Sequence, residues 1–130
     1  MQREEAEFAN EAFYLAFAEK DIQAMDNIWA KSAPVLCLHP GWPLLSGRDD
    51  VMESWRSILS NPSQQPIDFY GVQSSALNSS TVAVVCYELV GGSAMVATNV
   101  FVQEDGQPRI ALHQAGFCGN PPPNQPLNRG

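Results

Sequence analysis

His39 and His113 are the two histidines of the chain, and imidazole is the side chain that exchanges protons near neutral pH. His39 sits in the run Cys37-Leu38-His39-Pro40-Gly41-Trp42-Pro43, a rigid Pro/Gly loop where a strand ends and a helix is about to begin. One reading makes it a general acid/base or a ligand-orienting group; the other makes it a loop histidine bonded to backbone. His113 lies in a strand-like segment with Ala111, Ala115 and Phe117 on its face, so it points into the fold or toward a partner surface. Asn99 shares a strand face with Met95, Ala97 and Phe101. A buried amide must be hydrogen-bonded, either to a substrate oxygen or to a neighbouring element. Cys37 stands two residues before His39. Acting as a nucleophile would need a lowered thiol pKa, and packing as a small apolar side chain is the plainer role.

Other chemistries lack their residues. There is no nucleophile elbow, phosphate-cradling glycine loop or dinucleotide fingerprint. Two histidines with no adjacent carboxylate fall short of a metal site, so neither a metal nor a cofactor is expected. Tyr87 and Glu88 are neighbours in a strand, so only one of them can face inward.

The elements that must position these groups follow from periodicity. Glu4 to Glu19 reads as an amphipathic helix with Phe8, Ala12, Phe13, Ala16 and Phe17 as its apolar stripe. Asp21 is an N-cap for a second helix, in which Ile22, Met25, Ile28 and Trp29 recur. Pro34 to Leu38 reads as a short strand. Ser46-Gly47-Arg48-Asp49 resembles a capping box before a third helix that carries Val51, Met52, Trp55, Ile58 and Leu59 and stops at Asn61-Pro62. Four strands follow, over 67–77, 81–90, 93–103 and 109–117, with turns at Asn78-Ser79-Ser80, Gly91-Gly92 and Glu104-Asp105-Gly106-Gln107. Residues 119–130 form a Pro-rich tail.

Three helices before a meander of long strands predict an α+β domain over 1–118. It would be a cone in which the N-terminal helices pack against a strongly curved antiparallel sheet, with a funnel opening near the 39–43 loop. Phe13, Tyr14, Phe17, Cys37, Trp42, Trp55, Met95 and Phe101 are the expected lining, with Trp29 in the core.

A net charge of −7 with seven scattered Lys and Arg residues disfavours nucleic acid and anionic membrane surfaces. No apolar run approaches the roughly 20 residues of a membrane span, and the acidic start Met1-Gln2-Arg3-Glu4-Glu5 lacks an apolar signal core. Cys37, Cys86 and Cys118 are an odd, widely spaced set. These signs point to a cytoplasmic protein. Val96, Val100 and Val102 fall on the outward side of the sheet, which predicts a sheet-to-sheet homodimer.

The order of elements resembles the nuclear transport factor 2-like superfamily, and within it the SnoaL-like and ketosteroid isomerase-like proteins. The resemblance rests on Ala18-Glu19-Lys20-Asp21-Ile22-Gln23-Ala24-Met25, on Leu45-Ser46-Gly47-Arg48-Asp49-Asp50-Val51 and on Ala97-Thr98-Asn99-Val100-Phe101, and covers about residues 4 to 118. It implies a pocket and a dimer. It does not imply one reaction, because the superfamily holds isomerases, cyclases, dehydratases, epoxide hydrolases and binding modules alike. The isomerase's tyrosine position falls on Phe13, with Tyr14 beside it. Its base position falls on Cys37, or on His39 if one or two residues are inserted, and its oxyanion acid falls on Asn99. The isomerase triad is therefore not kept. The expectation is a pocket for a small apolar oxygenated molecule, with His39 as base and Asn99 and His113 orienting oxygens. The alternative is a noncatalytic binding or dimerisation module.

Overall fold

The computed structural model describes residues 1–124 of the 130; residues 125–130 of the expected tail lie outside the described residues. The elements run α1 (Arg3–Glu19), α2 (Ile22–Ile28), β1 (Leu36–Leu38), β2 (Leu45–Ser46), α3 (Arg48–Ser60), β3 (Ile67–Asn78), β4 (Thr81–Val90), β5 (Ser93–Glu104) and β6 (Gln107–Phe117). The six strands form one sheet in the order β2-β1-β6-β5-β4-β3. The three long hairpins are antiparallel, but β1 joins β6 in parallel. That crossover departs from the expected run of hairpins: α3 and four strands separate β1 from β6, so no short connection sets their relative direction. The sheet curls round α1, which contacts β3, β4 and β6.

The buried face of α1 carries Ala6, Asn10, Phe13, Tyr14 and Ala16. Phe8, 74% exposed, and the exposed Ala12 were expected on this face and instead point away from it; Asn10 and Tyr14 take the inward positions. The helix ends with Lys20 in the left-handed region, φ 56°. The Lys20 N–H donates to Phe17 O (3.2 Å) and the Asp21 N–H to Ala16 O (2.9 Å), a Schellman closure. Asp21 then caps α2 by accepting from the Ala24 N–H at 3.0 Å. The expected capping box of α3 does not form: the N-cap is Gly47, with φ 97°, and Ser46 belongs to β2. Arg48 ties the start of α3 to the end of α2 instead. Its guanidinium donates to the carbonyls of Asp26 (2.8 Å), Trp29 (3.0 Å) and Ala30 (3.1 Å).

One cross-strand register positions the site. Val84, Asn99, His113 and Cys37 stand side by side on β4, β5, β6 and β1, all inward and buried. A bulge between Val100 and Phe101 sets Ala111 out of step. Ile110 therefore joins the buried side with His113 in place of Ala111, and Phe117, at the strand's end, is 77% exposed.

Candidate functional site

His39 directly follows β1 and is only 5% exposed. Its Nε2 lies 2.9 Å from Ser54 Oγ on α3, and Ser54 Oγ donates its proton to the Val51 carbonyl at 2.7 Å. The hydroxyl therefore accepts from His39 Nε2–H, which leaves Nδ1 as the acceptor nitrogen of the ring, with the Cys37 thiol 3.9 Å from it. The loop beyond is a tight turn, with the Trp42 N–H donating to His39 O at 3.0 Å and Gly41 at φ 82°. The turn brings Trp42 edge-on to the imidazole at a centroid distance of 4.9 Å, and Trp55 flanks the ring at 4.8 Å.

His113 faces His39 across the same space, with ring centroids 6.2 Å apart. Its Nδ1 lies 2.6 Å from Asn99 Oδ1. Because the amide NH2 of Asn99 donates to Asn10 Oδ1 (2.8 Å) and to Tyr14 OH (3.3 Å), the amide oxygen is the acceptor, and His113 donates from Nδ1. Its Nε2 lone pair is free. Tyr14 OH also accepts from the Cys86 thiol at 3.3 Å and donates to Glu88 Oε2 at 2.5 Å. Donors thus point one way through the chain His113, Asn99, Tyr14, Glu88. Every hydrogen-bonding capacity of the Tyr14 hydroxyl is used.

Burial governs the protonation states. It lowers His39 to about 4 and His113 to about 3, the latter helped by repulsion from His39. Both rings are uncharged bases at neutral pH. Burial raises the Glu88 carboxyl above its ordinary value, opposed in part by the Tyr14 hydrogen bond, which favours its acid form. Burial also raises the Tyr14 phenol, reinforced by the Glu88 charge, so Tyr14 stays protonated. Cys37 Sγ is 3.5 Å from His39 Nε2, but burial pushes this thiol up to about 12. It is no thiolate nucleophile at neutral pH.

These groups meet at a cleft of about 360 Å³. His39, His113 and Glu88 line it together with Phe17, Trp42, Trp55, Ile58 and Met95, and with the amides Asn61 and Gln64. Of the expected residues, Phe17, Trp42, Trp55 and Met95 are in the wall. Phe13, Cys37 and Phe101 are fully buried beneath it because they pack between α1 and the sheet. Tyr14 borders a second cleft on the far side of α1, and Asn99 is fully buried behind His113, so it orients the imidazole rather than a ligand. The Trp55 indole N–H is a buried donor with no partner among the described residues. Among the described residues no three His, Cys, Asp or Glu side chains gather as a metal site.

Sequence reasoning missed Glu88, Asn10 and Ser54. Glu88 had a legible signal: it extends the alternating inward series Val82, Val84, Cys86 of β4, where a charge is out of place unless partnered.

The fold and the cleft define an α+β protein of the nuclear transport factor 2-like kind. Residues 7–118 match the SnoaL-like domain family, and the chain belongs to it. Among solved structures it is similar to a candidate dehydratase of the nuclear transport factor 2-like family from Streptomyces avermitilis. The two are 33% identical with a TM-score of 0.78, over 89% of this chain and 95% of that one. It is also similar to a candidate calcium/calmodulin-dependent protein kinase type II association domain from Thiobacillus denitrificans, at 29% identity and a TM-score of 0.72, over 86% of this chain and 94% of that one. A curated relative, F-box protein SKIP8 from Arabidopsis thaliana, is 28% identical over 82% of this chain; the chain spans 46% of that relative's length.

Proposed function

We propose that the cleft binds a small apolar oxygenated molecule and moves a proton on it without a cofactor, as a dehydratase, isomerase or cyclase. The observation that carries this reading is the pairing of two uncharged imidazoles, 6.2 Å apart, with a buried carboxyl in one cleft. In a dehydration, His39 Nδ1 or His113 Nε2 takes the proton from the carbon next to a carbonyl. The C–H electron pair forms the new double bond as the C–O bond breaks, and the departing hydroxyl leaves as water with the Glu88 proton. Proton transfer from the imidazolium to the Glu88 carboxylate restores both groups. The 33% identity to a candidate dehydratase supports elimination over the other two reactions.

The test uses 4-hydroxy-2-butanone, whose dehydration yields an ultraviolet-absorbing enone, and cyclohexanone, whose α-hydrogens exchange in D2O by NMR. Wild type is expected to accelerate at least one process, and His39→Gln and His113→Gln to slow it at least tenfold. Rates equal to buffer in wild type, or unchanged in both variants, would sink the reading.

A second reading, a self-associating module, is favoured by the outward sheet face, where Val96 is 37% exposed beside Val100 and Val102. The 29% identity to a candidate association domain also favours it. A homodimer through this face is compatible with an open cleft on the other side. Sedimentation showing only monomer at micromolar concentration would remove it. Three free cysteines suit a reducing compartment such as the cytoplasm. Among the described residues no helix is long and apolar enough to cross a membrane.

A further inference from the structure

A second cleft, of about 550 Å³, lies between the outer face of α1 and the start of β3. Phe8, Leu15 and Phe69 form its apolar walls, and Glu11 and Asp68 are its charged members. Phe8 and Leu15 are 74% and 57% exposed, seven residues apart and so on one helix face. The inner face of α1 is already packed on the sheet, so this helix carries two apolar sides, one of them uncovered.

Ile67 belongs to the walls of both clefts. Tyr14 borders the second cleft and donates to Glu88, which borders the first. Ile67 is thus the one residue both linings share, and the Tyr14–Glu88 hydrogen bond runs from the wall of one cleft to the wall of the other.

We propose that the two clefts are the halves of one elongated site whose ligand is a neutral amphiphile. Its carbonyl or hydroxyl head lies among His39, His113 and Glu88, and its unbranched apolar tail crosses Ile67 into the groove of Phe8, Leu15 and Phe69. The inference rests on the cleft being a ligand site, as proposed above. The charge of the head follows from the walls: neither lining contains a lysine or arginine, and Glu11 and Asp68 repel an anion. A fatty carboxylate is excluded by the same argument that admits a ketone or alcohol.

The test is a chain-length series, 2-pentanone through 2-decanone, titrated against the full chain by tryptophan fluorescence and calorimetry. Each methylene seated in the groove is expected to raise affinity about fourfold, from its transfer out of water. Phe8→Asp and Leu15→Asp change exposed side chains and leave the fold intact. They are expected to flatten the series for the longer ketones and leave 2-pentanone unaffected. If 2-pentanone binds and His39→Gln weakens it, but affinity does not climb with length, the groove inference fails and the cleft reading stands. If no ketone binds, both fall. If the two aspartate variants change only the sedimentation coefficient, a second copy of the chain covers the groove and the inference is overturned.

Discussion

Asn99 Oδ1 accepts from His113 Nδ1 at 2.6 Å, on neighbouring strands where the two residues are cross-strand partners. The sheet itself thus sets the imidazole's tautomer. Asn99 is in turn held by Asn10 through its amide NH2, so its oxygen cannot rotate away without breaking a buried bond. The polar residues beneath the cleft work as a jig: they keep the Nε2 lone pair of His113 available.

Asn99→Asp is therefore expected to change the charge of His113 and keep its place. A carboxylate beside Nδ1 favours the imidazolium, so the His113 pKa should rise well above its present value of about 3. A pH titration followed by imidazole NMR checks this. A His113 signal that still resists protonation in the variant would mean that Asn99 is not its partner in solution.

Stability is expected to fall as pH drops below the ordinary histidine value. His39 and His113 have folded pKa values of about 4 and about 3, below that of an unfolded histidine near ~6.5. The unfolded chain then binds more protons across that window. The stabilisation is complete above about 6.5 and is lost as pH falls toward the folded values, by roughly 8 kcal/mol in all. Glu88, raised by burial, acts in the opposite sense: its contribution is present at low pH and lost as pH rises through its folded value. Urea unfolding across the pH range should show the histidine slope, and a His39→Gln/His113→Gln double variant should flatten it.

The fold was readable because its cues are local. Asp21 caps where an N-cap was expected, and Gly91-Gly92 makes a two-residue turn between Val90 and Ser93. The match ends where structure depends on distant partners. Ser46 looked like a cap but pairs with Leu36 as β2, because the backbone of β1 competes for it. Ala111 fell out of step because a bulge is invisible to strict alternation. The site was half readable. His39 and His113 announce themselves by type. The alternation of β4 could turn Glu88 inward, but its pairing with Tyr14 could be placed only once α1 and β4 were known to touch, 74 residues apart in sequence.

Tyr14→Phe removes the hydroxyl shared by Glu88, Asn99 and Cys86. One buried carboxyl then loses its donor, and the variant is expected to lose about 1–3 kcal/mol of unfolding free energy. The Glu88 pKa should also climb further, because the Tyr14 hydrogen bond is what opposes burial. Chemical denaturation and carboxyl-carbon NMR test the two effects separately. A stable variant with an unmoved Glu88 would show that the phenol is not part of the network.

Trp42→Ala separates the two histidines. The indole is 43% exposed and meets only one of the rings, His39, edge-on at 4.9 Å. Burial is the sole cause of the low His39 pKa. Removing the indole admits water to that ring, and the pKa should rise from about 4 toward the ordinary histidine value. His113 sits deeper, between Phe13 and Trp55, and is expected to gain little from the change. Because Trp42 is half outside the core, the cost in stability should be small, well below the 3–5 kcal/mol of truncating a fully buried aromatic. Site-resolved imidazole titration of wild type and variant checks the contrast. Equal movement of both histidines would mean that Trp42 closes the whole cleft rather than covering His39 alone.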